Sequence, residues 1–279
     1  MAQTRKFAVF GNPIKHSKSP LIHAAFAAQF GHSLEYRAVR VEIDGFERAV
    51  RGFFASGGSG LNVTVPFKTQ ASALADVQSE HSRLAGAANF LVLDDQGRIF
   101  ADNTDGLGLV RDMVANQGWL LQGARILLLG AGGAARGVVG PLLQETPHSL
   151  FIANRTAHKA AQLAQVFDGA GNVCGGGING IDGRTFDVVI NATSTGLSGE
   201  ALSLPPALLN ERSCCYDMVY GAEPTPFMRW AAQHAAWAVA DGAGMLVEQA
   251  AESYFRWYGA RPETAPVIRR VRDAISVAA

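Results

Sequence analysis

The segment 124–145, ARILLLGAGGAARGVVGPLLQE, constrains the chain most. An apolar run, Ile126–Leu129, passes straight into glycines and then into a helical pattern. Within it, Gly130-Ala131-Gly132-Gly133-Ala134-Ala135 fits G-x-G-x-x-[GA]. Glycines here permit a tight turn and let backbone approach a pyrophosphate. The helix that follows offers unpaired N–H groups and the positive end of its dipole. In a chain with 31 glycines the bare spacing is weak, but a strand before it and a helix after it are the context the motif requires. A dinucleotide-binding turn is therefore expected, with Gly130, Ala131, Gly132, Gly133 and Ala134 around the phosphates. The competing reading is a purely structural strand–helix turn.

Strand and helix patterns alternate on both sides of this turn. Before it, Phe7–Phe10 reads as a buried strand and Pro20–Phe30 as a helix capped by Ser19, with proline at its first position. Residues 34–41 alternate as a strand, Gly45–Ala55 reads as a helix, and Gly57–Gly60 as a loop. Leu61–Val65 reads as a strand stopped by Pro66, and Asn89–Leu93 with Arg98–Ala101 as a hairpin. A second unit is expected to start near residue 106 with a helix over Leu107–Gln117. After the glycine turn come strands in SLFIANRT, FDVVINAT and CCYDMVY, and helices over His158–Phe167 and Pro226–Gln233. Closing helices span 244–275 with a break at Gly259–Pro262. The pattern predicts an α/β fold with mainly parallel sheets.

Composition narrows the function class. Lys plus Arg and Asp plus Glu number 24 each, so no polybasic surface for nucleic acid or membrane is expected. No run of about 18 apolar residues predicts a spanning helix. Only four apolar residues follow Arg5-Lys6 before Gly11, too few for a signal peptide. Three cysteines, with Cys214 and Cys215 adjacent and no CxxC, argue against a disulfide framework or a zinc site and for the cytoplasm. The two adjacent thiols are expected to be inert, and Trp119, Trp230, Trp237 and Trp257 to pack cores. His16 reads as a loop hydrogen-bonder.

The end of the strand after the glycine turn selects the cofactor. NAD enzymes usually place a carboxylate there for the ribose 2′-hydroxyl. This chain has Asn154-Arg155-Thr156, with Lys159 one turn on. Arginine pairs with a 2′-phosphate, which a carboxylate would repel, so NADP is expected. Thr193, in Asn191–Gly196 at the end of a later strand, is a candidate for the cofactor's far side.

No metal, nucleophile-elbow, P-loop or Tyr-Lys pair motif is present, so the chemistry must come from elsewhere. Lys68 stands just past a strand end and Asp105 at the junction of the two units. Ligands of open α/β sheets bind beyond the carboxyl ends of the strands. Position alone favours the plainer readings, Lys68 as a surface lysine and Asp105 as a cap for the helix at Leu107.

Eight blocks occur in order: GNPIKHSKSP, NVTVPFK, NTDG, GAGGAARG, NRT, NATSTG, YDMVYG and DGAGMLVEQAA. In this arrangement the chain resembles the shikimate dehydrogenases essentially end to end. The resemblance implies NADP-dependent interconversion of 3-dehydroshikimate and shikimate, on the route to aromatic amino acids. It implies an N-terminal α/β substrate domain (1–105) completed by C-terminal helices (244–279), and a Rossmann-type NADP-binding domain (106–243). By resemblance, Ser17 and Ser19, helped by Thr64, hold the substrate carboxylate. Lys68 and Asp105 form the catalytic pair, and Asn89, Asp105 and Gln249 bind the ring hydroxyls. Tyr220 closes on the substrate, and Gly242 and Met245 pack the nicotinamide. Phe90 stands where many relatives have threonine, and Lys159 where arginine is common. The expected partner is the small-molecule substrate, with the chain acting as a monomer or homodimer.

Other readings are a dehydrogenase that also takes quinate or NAD, and a non-catalytic NADP-binding regulator. Asn154-Arg155-Thr156 argues against NAD, and retention of Lys68 and Asp105 argues against the regulator. A folate or glutamyl-tRNA-type dehydrogenase shares the two-domain plan, but the Ser17/Ser19 block argues against it. A lysine ammonium ordinarily keeps its proton to about pH 10.4, so alcohol oxidation is expected to accelerate above neutral pH.

Overall fold

The computed structural model describes residues 4–193 and 203–277. The chain divides into two compact units, Met1–Gly108 with Val247–Val271, and Leu109–Leu246 with Arg272–Ala279.

The first unit runs β1 (Arg5–Gly11), α1 (Ser19–Phe30), β2 (Leu34–Arg40), α2 (Phe46–Ala55), β3 (Gly58–Val63), α3 (Lys68–Leu74), β4 (Val77–Gln78), α4 (Glu80–Ala85), β5 (Phe90–Leu93) and β6 (Ile99–Asp102). Helix α5 (Asp105–Arg111) follows. The strands form one six-stranded sheet in the order β2-β1-β3-β5-β6-β4. Strand β1 pairs parallel with β2 and β3, whereas β3–β5 and β5–β6 are antiparallel. Successive side chains of a strand face opposite ways, and β1 is buried on both sides. Ala8 and Phe10 join a core with Val50, Leu61, Val63 and Phe67. Phe7 packs on the other face against Phe90 and Trp257.

That aromatic face corrects one expectation. Gly58, Ser59 and Gly60 belong to strand β3, not to a loop. A Cβ at Gly60 would overlap the Trp257 indole, and one at Gly58 would overlap the Phe53 ring. The glycines are there for close approach inside a strand. Gly60→Ala should therefore lower unfolding stability by about 1–3 kcal/mol through overpacking, measured by urea denaturation; an unchanged midpoint would contradict this packing. Ser19 differs as well. It is the first residue of α1 rather than its cap; Lys18 occupies the cap position and makes no side-chain capping bond.

The second unit runs through a π-helical turn (Asp112–Asn116), β7 (Arg125–Leu129), α6 (Gly133–Gln144), β8 (Ser149–Asn154), α7 (Ala157–Val166), β9 (Val173–Gly177), β10 (Phe186–Asn191), β11 (Leu209–Asp217), α8 (Pro226–Gln233) and β12 (Ala238–Asp241). The order β12-β11-β10-β7-β8-β9 is parallel throughout. Counted from β7, this is the Rossmann order 3-2-1-4-5-6 with its switch point between β7 and β10. The chain closes with α9 (Ala243–Tyr258) and α10 (Ala265–Ser276). The fold is thus mixed α/β with two parallel-rich sheets, as the alternating pattern predicts.

The helix expected to run to Gln117 instead ends in the π turn, where Asp112 turns its carboxylate to the Tyr216 hydroxyl (2.6 Å). Trp119 and Trp257 are buried, but Trp237 is 66 % exposed and packs no core. Cys214 and Cys215 are buried, and burial pushes their thiols up to about 11 and about 12, which keeps them protonated and unreactive.

Candidate active site

In the first unit a polar cluster forms where β3, β6 and α9 bring their ends together. Lys68 opens α3. Its position is fixed by Phe67, which is buried and stacks on Phe46 with ring centres 4.8 Å apart, and by its carbonyl, which accepts from Ala88 N (2.8 Å). Lys68 Nζ donates to Asp105 Oδ2 at 2.5 Å, and the two side chains are 26 % and 10 % exposed. This pair is thus shielded but still reachable from solvent.

Asp105 is the first residue of α5, and its N–H donates to Asn103 Oδ1 (3.1 Å). Its other oxygen accepts from Asn89 Nδ2 (2.9 Å), which also donates to Gln249 Oε1 (3.1 Å) and to Thr104 Oγ1 (2.9 Å). Asn89 Oδ1 accepts from Thr104 N (2.8 Å), so its amide is fixed in one orientation. Gln249 belongs to α9 and approaches because Gly108 is small: a Cβ there would stand 2.6 Å from Gln249 N. About two turns along α9, Arg256 pairs with Asp102 (2.6 Å). Burial pushes the Asp102 carboxyl up, but His81, Ser79, Arg256 and the Asn103 N–H together hold it below the usual range. Asp102 therefore stays ionised and anchors the strand end that carries Asp105.

Lys68, Asn89, Asp105 and Gln249 are thus one connected group. Ser17 and Ser19 form a second group, in which Ser19 N donates to Ser17 Oγ at 3.3 Å. Thr64 lies against the start of the same loop, its Cγ2 2.5 Å from where a Gly11 Cβ would be. Asn62 supports the first group: it donates to Asn89 O (3.1 Å) and accepts from the Tyr36 hydroxyl (2.8 Å). Tyr36 lies outside every motif, whereas Asn62 and Thr104 fall within the NVTVPFK and NTDG blocks without a chemical signal of their own. In sequence they are polar positions of strands or of the NTDG block.

In the second unit, Gly130 ends β7 with φ 108°, a conformation open to glycine, and a Cβ there would crowd Ala192 O at 3.1 Å. The turn therefore lies at the sheet's switch point. Gly132 and Gly133 are exposed, and nothing lies within 4 Å of an added Cβ at either. The protein's own packing does not demand glycine there, which fits a phosphate approaching from outside. Ala131 and Ala134 flank the same open turn. At the end of β8, Asn154 Nδ2 donates to Thr156 O (3.0 Å), and Arg155 and Lys159 are exposed beside it. No carboxylate occupies this strand end, so the residues suit a 2′-phosphate.

Thr193 is held by Asn191, whose Oδ1 accepts from Thr193 N (3.1 Å) and Oγ1 (2.7 Å). Ser194, Thr195 and Gly196 of that block lie outside the described residues. Asn191 also donates to Asp217, which accepts from Val219 N (3.0 Å) and the Thr225 hydroxyl (2.5 Å). Burial raises the Asp217 carboxyl despite these donors. Tyr220 follows directly and is half-buried; burial, then Asp241, raises its phenol. Gly242 lies hard against Met218 O, where a Cβ would not fit, and Met245 N donates to the Tyr216 hydroxyl (3.3 Å). Thr193, Tyr220 and Gly242 thus sit on loops at one end of this sheet, and Met245 in the first turn of α9 beside them. Among the described residues no group of three or more His, Cys, Asp or Glu side chains is placed to hold a metal ion, and no helix is long and apolar enough to cross a membrane.

Comparisons with known proteins agree across the chain. Residues 9–91 match the shikimate dehydrogenase substrate-binding domain, 113–197 the shikimate/quinate 5-dehydrogenase family and 242–272 the shikimate 5′-dehydrogenase C-terminal domain. A shikimate dehydrogenase (NADP(+)) of Alkalilimnicola ehrlichii is 55 % identical over 96 % of this chain and 99 % of its own. An Ael1 enzyme of Pseudomonas putida superposes with a TM-score of 0.89 at 44 % identity, covering 95 % of this chain and 97 % of that one. Shikimate 5-dehydrogenase of Thermus thermophilus, solved with NADP(H) and shikimate, gives 0.85 at 30 % identity over 97 % and 99 % of the two chains. The chain belongs to the shikimate dehydrogenase family.

Proposed function

We propose that this protein catalyses the reversible, NADP-dependent reduction of 3-dehydroshikimate to shikimate, and that it does so in the cytoplasm, where its free thiols suit a reducing compartment. The observation that carries the reading is the Lys68–Asp105 pair at 2.5 Å, tied through Asn89 to Gln249, within a chain 55 % identical to an NADP-dependent shikimate dehydrogenase. Residues 1–105 with the closing helices bind substrate, and 106–243 bind the cofactor.

NADPH, when bound, supplies the hydride to the carbonyl carbon. The Lys68 ammonium donates a proton to the carbonyl oxygen as charge develops there, and in the reverse direction the neutral Lys68 amine takes the proton back from the hydroxyl. Asp105 holds Lys68 in place and, with Asn89 and Gln249, presents acceptors and donors to the ring hydroxyls. Ser17, Ser19 and Thr64 supply hydroxyl donors to the carboxylate. A ligand lacking a hydroxyl leaves a buried group unpaired, so discrimination is strong. Gly130–Ala134 face the pyrophosphate, Asn154, Arg155, Thr156 and Lys159 the 2′-phosphate, and Thr193, Gly242 and Met245 the nicotinamide side, with Tyr220 closing on the substrate.

The test is oxidation of shikimate and of quinate, each with NADP and with NAD. Shikimate with NADP should give the highest kcat/KM; no turnover of shikimate would overturn the reading, and equal turnover of quinate would broaden it to both acids. Arg155→Ala should raise the KM for NADP about tenfold, the loss of one charge-assisted pairing, and leave that for NAD within about twofold. An equal loss for both cofactors would contradict the 2′-phosphate assignment.

A further inference from the structure

We propose that Tyr216, held by Asp112, is a positioning residue that sets the first turn of α9 for the nicotinamide half of the cofactor. The inference rests on the NADP reading, in which Gly242 and Met245 take the nicotinamide side. All the residues that carry it lie in the second unit. Helix α9 begins at Ala243, so Gly242 holds the cap position. A cap side chain ordinarily accepts from the N–H of the second or third helical residue. Gly242 has no side chain to offer, and none fits there, since a Cβ would overlap Met218 O.

Two other residues do that work. Asp241, the last residue of β12, accepts from Ala243 N (3.0 Å), and Arg272 of α10 grips its carboxylate through two bonds (2.6 and 2.7 Å). The third N–H of the helix, that of Met245, donates to the Tyr216 hydroxyl at 3.3 Å. Tyr216 reaches it from β11, where it pairs with Ala240 of β12. The hydroxyl hydrogen goes to Asp112 Oδ2 (2.6 Å), which leaves the oxygen lone pairs for Met245. Asp112 is fixed in turn by Asn116, whose Nδ2 donates to Oδ1 (2.9 Å). The same carboxylate lies directly against the helix, because a Cβ at Gly244 would overlap it. Tyr216 and Asp112 are both fully buried, so no solvent stands ready to replace either bond. Tyr216 thus does from a neighbouring strand what a serine or threonine cap does locally, and the residue it holds is Met245 itself.

Tyr216→Phe keeps the ring and removes the cap. Two ligands separate positioning from general damage: NADP, and adenosine 2′,5′-bisphosphate, which carries the adenine and the 2′-phosphate but no nicotinamide. By calorimetry, the Kd for NADP should rise about three- to tenfold, as for the loss of one buried hydrogen bond, while that for the bisphosphate stays within about twofold. The KM for shikimate should not move. Should Asp112, left buried with one donor fewer, prevent folding, Tyr216→Phe/Asp112→Asn puts a neutral amide in its place and is read against the same expectation. An unmoved Kd for NADP would overturn the proposal. An equal rise for the bisphosphate would mark damage to the whole nucleotide site and overturn it too. The unaltered protein is measured alongside: absence of NADP binding there overturns the NADP reading and this one with it, whereas binding there with an unmoved Kd in the variant overturns only the role of Tyr216.

Discussion

Lys68→Ala should lower kcat for shikimate oxidation by about 100- to 10,000-fold, the range of a lost general acid–base group. The KM for shikimate should move far less, because the carboxylate and hydroxyl contacts belong to Ser17, Ser19, Thr64, Asn89 and Gln249. The structure gives the reason for the split. Lys68 reaches the site only through its ammonium, which lies 2.5 Å from Asp105 Oδ2, while Asp105 keeps its second partner in Asn89. Lys68→Arg should recover little, since a planar guanidinium cannot take the place of a compact ammonium beside one carboxylate oxygen. Turnover near that of the unaltered enzyme in Lys68→Ala would remove Lys68 from the chemistry.

His23→Phe should remove a large part of the protein's sensitivity to acid. His23 is fully buried, and desolvation lowers its pKa from 6.5 to about 3. Asn62 beside it opposes that shift, but both amide hydrogens of Asn62 are committed to Asn89 and Ser253, so burial decides. Neither ring nitrogen has a hydrogen-bond partner among the described residues. The folded pKa is below the unfolded one, so folding is favoured fully above about pH 6.5. As pH falls from there toward about 3, the unfolded chain takes up a proton that the folded chain refuses. Stability then falls by about 1.4 kcal/mol for each pH unit. Urea unfolding at about pH 7 and about pH 5 should show a loss some 2 kcal/mol larger in the unaltered protein than in His23→Phe. Parallel losses would mean that His23 does not control the acid response.

The parallel Rossmann sheet is legible in the sequence because its strands are apolar runs ended by glycine or polar turns. Ile126–Leu129 before Gly130 and FDVVIN before Ala192 are examples. Strand β9 is not legible. Its VCGGG carries no apolar alternation, and Gly175 is there because a Cβ would overlap Ala160 O of the neighbouring helix. Gly58 and Gly60 mislead in the same way: aromatic rings from elsewhere in the chain, invisible to a local pattern, turn an apparent loop into a strand. Ser19 looks like a helix cap because a cap and the first helical residue differ by one position.

At the candidate site, Lys68 and Asp105 stand 37 residues apart, and no spacing rule joins them. Their pairing needs the β5–β6 hairpin, whose Asp102 end returns beside Asn89 (Asn89 N to Asp102 O, 3.0 Å). The ordered blocks of the family carry what local periodicity does not. The support Tyr36 escapes both routes, because it reads as an ordinary aromatic residue of a strand; Asn62 opens the NVTVPFK block, but nothing in the block marks it as a support.

The most direct test of the account is reduction of 3-dehydroshikimate by the purified protein with NADPH and with NADH, comparing the unaltered chain with Lys68→Ala. The account predicts oxidation of NADPH with formation of shikimate, a kcat/KM at least about tenfold lower with NADH, and near-complete loss of turnover in the variant. No formation of shikimate with NADPH, or equal rates in the two proteins, would contradict it.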